Sequence, residues 1–432
     1  MANKENKIVI KNGRVIDPAN GIDEITDIYI KDHTIERIGG RKNFQGYEVI
    51  DATDKIVIPG LVDMHVHLRE PGNEESETIH SGARAAVEGG FTTICCMANT
   101  KPFIDNAEGV RFIYDTAADA DCWVYPLAGV TKGLQGKELT EMTDIAYAGA
   151  IAFSDDGNPI EDGQLMRNAL NYAKMLDMTI TVHEEDKYLA QNGHMNEGEI
   201  SGKLGMVGMP PIAESVMISR DLQIAEYIDA PLHICHVSTA KSVGLIREAK
   251  AKGIKVTAEV TPHHLILTDK SVADSEFDSN FKMNPPLRTD DDVKALREGI
   301  ADGTIDAIAT DHAPHALHYK DRDFNNAPFG IVGLETALGL ILTELVHTKI
   351  IDIPQMIELM SLRPSQIYDL PSGTLSKGAF ADITILDIDQ EWTVDSSKFK
   401  SISRNTPFNE WKLKGRNVLT MVGGEVLVNR MK

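Results

Sequence analysis

Two histidines placed two residues apart are the strongest chemical feature of this sequence. They lie in the apolar run LVDMHVHL at residues 61–68, which is typical of a β-strand. Because alternate residues of a strand point to the same face, His65 and His67 are predicted to project together. Two neutral imidazoles on one face suit a zinc-class ion. A single His-x-His pair is equally compatible with two core histidines satisfied by hydrogen bonds.

Further residues of metal-ligand type follow other apolar runs, at points where strands are predicted to end. They are Asp155, Asp156, His183, His236 and Asp311. In a barrel of parallel strands these ends meet at one face, which is where barrel enzymes assemble their active sites. Packing alone does not readily explain ligand-type side chains at five strand ends. The sequence therefore predicts a metal site.

The elements that would position these residues show the texture of repeated βα units between residues 59 and 365. Eight strands are predicted, at residues 61–68, 91–98, 122–129, 149–155, 178–184, 231–238, 255–261 and 306–312. Eight helices are predicted between and after them, at residues 76–88, 107–119, 138–147, 161–176, 212–228, 239–252, 290–301 and 333–348. This α/β pattern predicts a (β/α)8 barrel, with longer excursions at 184–211 and 313–332 forming active-site loops.

The two ends of the chain have a different texture. Residues 1–58 and 366–432 consist mainly of short alternating β-like runs broken by Gly, Asn and Asp. Such runs are typical of hairpins. We expect the two segments to pair into one small β-sandwich domain beside the barrel.

Composition excludes several function classes. Lys and Arg number 43 against 65 Asp and Glu, which gives a formal net charge of −22. So acidic a chain repels phosphate backbones and anionic membrane surfaces, and neither nucleic acid nor membrane is an expected partner. An apolar run long enough for a transmembrane helix is absent from the sequence, and residues 1–18 lack a signal-peptide core. The four cysteines lie in apolar runs without CxxC spacing, which predicts buried thiols in a reducing compartment, the cytoplasm.

The segment PGLVDMHVHLREPG at residues 59–72 resembles the signature of the dihydroorotases, a family within the amidohydrolase superfamily. The likeness continues through CHVST (235–239), EVTPHH (259–264), FKMNPPLR (281–288), ATDHAPH (309–315) and APFG (327–330). It spans nearly the whole chain and is nearest to the longer, first type of bacterial dihydroorotase. It implies the reversible, metal-dependent cyclisation of N-carbamoyl-L-aspartate to L-dihydroorotate in pyrimidine synthesis.

The resemblance also implies two Zn²⁺ ions per subunit. His65, His67 and Asp311 would hold one ion, His183 and His236 the other, and Asp156 would bridge them together with a hydroxide. Alignment with the motif favours Asp156 over Asp155 as the bridge, so Asp155 should face away. A metal lowers the pKa of bound water, and the resulting hydroxide would attack the ring amide while Asp311 acts as general base and then general acid.

Substrate contacts are implied at seven positions. They are His67, Arg69, Asn99 and His315 around the carboxylate, and Asn284 with the Phe329 and Gly330 backbone at the urea-like edge of the ring. An arginine can bind a carboxylate with two parallel hydrogen bonds, which an acidic protein needs locally for an anionic substrate. Ala98 departs from the family, which usually has Pro before this Asn.

Two alternatives share the same barrel. Hydantoinases and allantoinases generally use a carboxylated lysine on strand four, whereas residues 149–156 contain no lysine. An inactive relative serving as a partner of aspartate transcarbamoylase should have lost metal ligands, and all six positions are kept. The resemblance further suggests a homodimer, and a complex with aspartate transcarbamoylase as a second partner to consider.

Two neighbours of the motif residues have less specific roles. Asp63 shares a face with His65 and could orient its ring through a hydrogen bond. His312 follows Asp311 directly and should point to the opposite side, into structural packing.

Overall fold

The computed structural model describes residues 6–40 and 44–431. Its strands in chain order are β1 (Lys7–Asp17), β2 (Ile22–Lys31), β3 (Thr34–Ile38), β4 (Glu48–Asp51), β5 (Ile56–Pro59), β6 (Leu61–Val66), β7 (Phe91–Cys96), β8 (Trp123–Pro126), β9 (Ile180–Val182), β10 (Met195–Asn196), β11 (Gly208–Met209), β12 (Leu232–Ile234), β13 (Val256–Val260), β14 (Ala307–Ile308), β15 (Ile383–Thr393), β16 (Lys412–Val422) and β17 (Glu425–Asn429). Its α-helices are α1 (Ile79–Gly89), α2 (Ala107–Thr116), α3 (Met142–Tyr147), α4 (Gly163–Met175), α5 (Lys187–Ala190), α6 (Glu199–Leu204), α7 (Ile212–Ile228), α8 (Ala240–Ala251), α9 (Pro262–Ile266), α10 (Asp269–Asp274), α11 (Asp290–Ala301), α12 (Leu317–Lys320), α13 (Ala337–Ile341), α14 (Ile353–Ile357) and α15 (Arg363–Ile367).

Strands from both ends of the chain form one eight-stranded sheet. Its order is β17-β16-β15-β5-β1-β2-β3, with β4 paired to β1. The join lies between β5 and β15, which run antiparallel with Ile383 opposite Pro59. The expected pairing of the two terminal segments is therefore confirmed. Their bounds at residues 58 and 366 stay predictions.

The middle of the chain forms a closed ring of parallel strands. One arc consists of β6, β7 and β8, and the other of β9, β12, β13 and β14. Phe153 connects the arcs as a single residue bridged to Ala128 and Ile180, and Val66 pairs with His312 to close the ring. The predicted (β/α)8 barrel is confirmed by this ring and by the helices that follow its strands.

The fourth barrel strand is shorter than residues 149–155 predict. Its bridges are confined to Phe153, with backbone hydrogen bonds from Ile151 N–H to Pro126 and from Ser154 N–H to Ala128 on either side. The Asp155 carboxylate accepts hydrogen bonds from the backbone N–H groups of Val130 and Thr131, at 2.8 and 3.0 Å. These bonds join the end of the fourth strand segment to the chain that follows β8.

The barrel helices begin where the sequence provides capping side chains. The residues that accept a backbone N–H at a helix start include Thr78, Asn106, Asp162, Thr239 and Thr289. Such caps satisfy donors that the first helical turn leaves free. The helices cover the ring with apolar faces; in α4, for example, Met166 and Leu170 are fully buried. No helix of the described residues is both long and apolar enough to cross a membrane.

Two excursions lie at the carboxyl ends of the strands. Residues 184–211 carry α5, α6 and the short pair β10 and β11, and residues 313–332 carry α12. The chain between β15 and β16 also returns to this end of the barrel. There Asn405 Nδ2 donates hydrogen bonds to the carbonyls of Ala313 and Gly330, both at 3.0 Å. The C-terminal segment thus fixes part of the barrel mouth.

Candidate active site

The barrel mouth brings together all six side chains that the sequence predicts as metal ligands. Each is buried and lies on a strand of the ring or within three residues after a strand or bridge: His65, His67, Asp156, His183, His236 and Asp311. The first two share one face of β6, as the alternation of strand residues requires.

One group of donors surrounds Asp311. His67 Nε2 lies 3.0 Å from Asp311 Oδ1, and His65 Nε2 lies 3.5 Å from the same oxygen. His65 Nε2 is also 3.6 Å from Asp156 Oδ1. Two imidazole nitrogens and two carboxylates therefore face a common point.

A second group shares Asp156 with the first. His183 Nδ1 and His236 Nε2 are 3.1 Å apart. They lie 3.8 and 3.7 Å from Asp156 Oδ1. The Asp156 carboxylate thus stands between the two groups, where a ligand common to two ions would have to be.

The donor set fits divalent cations of the zinc class. Among the described residues, His65 Nε2 and Asp156 Oδ1 are buried with no hydrogen-bond partner. Buried polar atoms are rarely left without a partner, because the loss of hydration is costly. Sets of three donors drawn from this cluster lie within 4.8 Å of one another, among them His65 with His67 and Asp156, and Asp156 with His183 and His236. Imidazole and carboxylate donors at this density suit zinc.

Asp155 faces away from the cluster, as the family resemblance implies. Its carboxylate holds the Val130 and Thr131 backbone and also accepts a hydrogen bond from the Thr131 hydroxyl. Burial raises the pKa of Asp155 to about 6. The two adjacent aspartates therefore have different environments. Asp156 lies among histidines, and Asp155 is bound to the backbone of the neighbouring barrel segment.

Asp63 does not orient the His65 ring, contrary to the role considered for it. Its Oδ1 accepts hydrogen bonds from the backbone N–H groups of His65 and Thr310, at 3.2 and 3.1 Å. It thus ties β6 to the last barrel segment through the main chain. The His65 ring instead meets Glu259, whose Oε1 lies 2.6 Å from His65 Nδ1.

Glu259 belongs to a buried chain of polar groups beneath the cluster. Its Oε2 is 3.2 Å from His233 Nε2, and His233 Nδ1 is 2.8 Å from Thr257 Oγ1. Burial acts to raise the pKa of Glu259, but the neighbouring His65 and His233 outweigh it and lower the pKa to about 2. An ionised Glu259 accepts a hydrogen bond from His65 Nδ1–H, which leaves the Nε2 lone pair facing the cluster. The signal in the sequence was a glutamate within the short barrel strand VTAEV at residues 256–260.

Three residues of the mouth have a left-handed backbone although none is glycine. The φ angles are 62° at Arg69, 30° at His236 and 46° at Asp311. Side chains with a Cβ rarely adopt this region, and such strain concentrates at functional sites. The surrounding contacts hold these side chains in orientations that an extended backbone at the strand end would not allow.

Arg69 places a cationic group at the rim of the cluster. Its Nε donates to the Pro314 carbonyl at 3.1 Å. Burial lowers the pKa of Arg69 to about 10, against the opposing effect of Asp311 and Asp156. The guanidinium is therefore charged near neutral pH and can attract an anionic substrate.

Asn99 contacts two of the predicted metal ligands directly. Its Oδ1 accepts from His67 Nδ1 at 2.9 Å, and its Nδ2 donates to Asp156 Oδ2 at 3.1 Å. These bonds orient the His67 ring so that Nε2 faces Asp311. The predicted contact between Asn99 and substrate stays a prediction beside this orienting role.

The other predicted substrate residues lie around the same mouth. Asn284 Nδ2 donates to Glu185 Oε2 at 2.8 Å, and that oxygen is 3.5 Å from His183 Nε2. Glu185 was missed by sequence reasoning; burial acts to raise its pKa, but His183 and Asn284 lower it to about 2. With its amide nitrogen engaged, Asn284 offers its carbonyl oxygen to a ligand.

His315 and Gly330 shape the segment that ends the second excursion. His315 Nε2 donates to the Phe329 carbonyl at 2.8 Å, and burial together with Arg69 lowers the pKa of His315 to about 2, so its ring is neutral. Gly330 has φ +149°, and a Cβ there would lie 2.6 Å from the Ala313 carbonyl oxygen. Only glycine fits this close approach.

His312 points away from the cluster, as predicted. Its Nε2 is 3.2 Å from Glu77 Oε2, and its Nδ1 accepts the Gly333 N–H at 3.2 Å. Glu77 also accepts from the Ser401 hydroxyl and the Ile402 N–H. His312 therefore fastens the barrel to the C-terminal segment.

Comparison with known proteins points to one family. The sequence profile described as Dihydro-orotase-like matches residues 54–242. The chain is 52% identical to a dihydroorotase of Pelotomaculum thermopropionicum over 422 residues, 98% of each chain. It is 48% identical to a dihydroorotase of Geobacter metallireducens over 425 residues, 98% of this chain and all of the other.

Solved structures with the same architecture include two hydantoinases. The L-hydantoinase (dihydropyrimidinase) of Arthrobacter aurescens is 26% identical and superposes with a TM-score of 0.88 over 98% of this chain and 96% of the other. The D-hydantoinase (dihydropyrimidinase) of a Thermus species is 26% identical, with a TM-score of 0.86 over 98% and 95%. The barrel and the terminal sheet of this chain thus share their architecture with these hydantoinases.

Proposed function

The chain belongs to the dihydroorotase family, and from that membership we propose that its barrel mouth interconverts L-dihydroorotate and N-carbamoyl-L-aspartate. The observation that carries the proposal is the meeting of six ligand-type side chains at the strand ends, with the cationic Arg69 at their rim. The first feature suits hydrolysis of an amide and the second suits a substrate that bears a carboxylate.

The metal centre belongs to the proposal. His65, His67 and Asp311 would hold one Zn²⁺, His183 and His236 a second, and Asp156 would be shared. When bound, such ions make water more acidic and polarise a carbonyl oxygen. The protein's own residues supply the remaining chemistry.

Asp311 is the proposed general acid and base. In the hydrolytic direction water adds to the ring amide carbon, the C–N bond breaks, and the proton released by water goes to the leaving nitrogen. Asp311 Oδ1 is fixed 3.0 Å from His67 Nε2, so the carboxylate has one oriented oxygen and a second for the proton. The same carboxylate returns the proton in the biosynthetic direction, because the two directions share one path.

Substrate orientation would come from the rim. Arg69 and Asn99 would hold the carboxylate, with His67 and His315 beside them, and Asn284 would accept a ring N–H. The backbone of Phe329 and Gly330 would contact the urea-like edge. A chain with a net charge of −22 repels an anion at long range, so these local donors decide whether the substrate binds.

The hydantoinase alternative draws on the structural neighbours. The segment at the fourth strand carries Asp155 and Asp156 and contains no lysine that could be carboxylated. Arg69 at the rim gives a second reason to favour a ring with a carboxylate substituent. Both features support dihydroorotate over a neutral hydantoin.

Assembly and compartment are separate proposals. From the family resemblance we propose a homodimer, and aspartate transcarbamoylase as the protein to test for a complex. The four cysteines are free and buried, which supports a reducing compartment such as the cytoplasm. Light scattering of the purified protein, alone and mixed with the transcarbamoylase, tests both assemblies.

The activity test compares three rings on one preparation. Purified protein of measured zinc content is assayed with L-dihydroorotate, allantoin and a 5-substituted hydantoin, and Asp311→Asn serves as the inactive control. We expect turnover of dihydroorotate alone, lost on chelation and restored by zinc. Turnover of only a rival ring would overturn the substrate, and no turnover by zinc-loaded protein would favour the inactive-partner alternative.

A further inference from the structure

Lys282 is a buried lysine that donates to the main chain of the loop at residues 324–330. Its Nζ lies 2.7 Å from the Phe324 carbonyl oxygen, 3.0 Å from that of Asn325 and 2.7 Å from that of Ala327. An ammonium has three N–H donors, and each has a carbonyl here. The side chain is 2% exposed.

Lys320 holds the remainder of the same loop. Its Nζ is 3.0 Å from the Pro328 carbonyl oxygen and 3.1 Å from that of Gly330. This residue is 5% exposed. Together the two lysines contact five of the seven carbonyls between residues 324 and 330.

Neither ammonium has a carboxylate within ion-pair distance among the described residues. Burial lowers the pKa of Lys282 to about 8 and, together with repulsion by Lys282, lowers that of Lys320 to about 7. Apart from the carbonyls, Lys282 Nζ has a ring nitrogen, His194 Nδ1, at 3.4 Å and the centre of the Phe324 ring at 5.5 Å. Two neighbouring buried cations without a carboxylate partner are costly to desolvate, and neutral donors could hold the same loop. The arrangement needs a reason other than stability.

The loop that the lysines hold is part of the proposed substrate site. The Gly330 N–H donates to the Lys282 carbonyl at 2.9 Å, and the Phe329 carbonyl accepts from His315. Lys282 Nζ also lies 4.6 Å from the centre of the Phe329 ring. Two residues further along, Asn284 reaches Glu185 at the mouth. The lysines thus fix the loop relative to His315 and Asn284, two of the proposed substrate residues.

We infer that Lys282 and Lys320 are positioning residues for substrate binding, which hold the 324–330 loop so that the Phe329–Gly330 backbone meets an anionic cyclic ureide. Their charge also adds positive potential behind the loop, on the side where an acidic protein must attract an anion. The inference rests on the proposed function, since it assigns these lysines to the same substrate.

The expected signature separates positioning from catalysis. The loop would contact the ring equally in the ground state and in the transition state, because the reacting amide lies at the metal cluster. Loss of such uniform binding raises KM and leaves kcat nearly unchanged. A general loss of folding would instead reduce the active fraction and lower the apparent kcat at constant KM.

The test compares four variants with the zinc-loaded wild type. Lys320→Met and Lys282→Met keep the length of the side chain and remove the donors, and Lys320→Arg keeps charge and donors. Lys250→Met is the matched control, because Lys250 Nζ donates to the Gly303 carbonyl at 3.2 Å and pairs with Asp306 away from the mouth. For each protein we would measure KM and kcat with dihydroorotate, zinc content, and amide hydrogen exchange of residues 324–331.

We expect Lys320→Met to raise KM roughly tenfold, with kcat within about threefold of wild type and faster exchange in the loop. Lys320→Arg should recover most of the KM, and Lys250→Met should leave KM and loop exchange as in wild type. Lys282→Met should show the larger effect; if it does not fold, Lys320→Met decides alone.

Faster loop exchange in Lys320→Met with unchanged KM would overturn the inference and leave the lysines with a purely structural role. A KM increase of the same size in Lys250→Met would overturn it as well. If the wild type failed to turn over dihydroorotate, the proposed function would fall. Loop exchange would then still report whether the lysines hold the loop.

Discussion

The barrel mouth and the terminal sheet are built on opposite principles. The sheet has long strands, such as the eleven residues of β1 and of β15, and an apolar interior in which Ile28 and Val57 are fully buried. The mouth consists of strand ends that carry buried carboxylates and imidazoles and a strained backbone at Arg69, His236 and Asp311. The apolar interior of the sheet therefore stabilises the fold. At the mouth, part of that stability offsets the cost of holding buried carboxylates and a strained backbone in place.

This contrast predicts different consequences of mutation in the two regions. A substitution at the mouth should reduce metal binding or turnover more than folding. A substitution in the sheet should do the reverse. Four changes test this, in order of expected effect.

The largest effect is expected from Asp156→Ala. The Asp156 Oδ1 lies 3.6 Å from His65 Nε2, 3.8 Å from His183 Nδ1 and 3.7 Å from His236 Nε2, so it faces both donor groups. Its removal should abolish binding of the second metal and reduce kcat by roughly 10³-fold or more, a barrier increase of about 4 kcal/mol. Zinc analysis and dihydroorotate kinetics measure the loss. Denaturation of the metal-free proteins should change little, and a variant that unfolds much more easily would show that Asp156 also supports the fold.

The counterpart in the sheet is Ile28→Ala. Ile28 is fully buried in the apolar interior of the sheet. Truncation to Ala leaves a cavity there, which should lower the free energy of unfolding by about 2–5 kcal/mol. Chemical denaturation measures this change. The kcat/KM of the folded protein should equal that of wild type, and a fall in kcat/KM would mean that the two regions are energetically coupled.

A smaller effect at the mouth is expected from Glu259→Gln. The amide keeps the size of the side chain but no longer holds the His65 ring with a negative charge, so zinc affinity should fall by about 10–100-fold. Competition with a chromophoric chelator measures the affinity, and added zinc should restore turnover. An unchanged zinc affinity would show that Glu259 does not contribute to metal binding.

The smallest effect is expected from Asp155→Asn, next to the most sensitive position. Asn can still accept from the Val130 and Thr131 backbone, so the free energy of unfolding should fall by about 1 kcal/mol. Zinc content and kcat should stay near wild type. A loss of zinc comparable to that in Asp156→Ala would contradict the assignment of the two aspartates to different environments.

Strand alternation and apolar runs were sufficient to predict the barrel and the convergence of the ligand-type residues, whereas the choice of Asp156 over Asp155 needed the resemblance to a family motif. They did not predict Glu259 beneath His65, because the two residues are 194 positions apart and nothing in one sequence pairs a buried glutamate with a particular histidine. Nor could they show the left-handed backbone at Arg69, since this residue type seldom adopts it. The contact of the Asp155 carboxylate with the backbone of residues 130 and 131 could not be predicted either, because it is a tertiary contact.

The single-residue bridges at Phe153 and between Val66 and His312 divide the ring into two arcs, and each arc carries only part of the donor set. His65 and His67 belong to the first arc, and His183 and His236 to the second. Any ion bound by both arcs adds its binding free energy to closure of the ring. A divalent cation bound there would link the two arcs, so we expect two fragments of this chain, divided between the arcs, to reassemble more completely as the concentration of the cation rises.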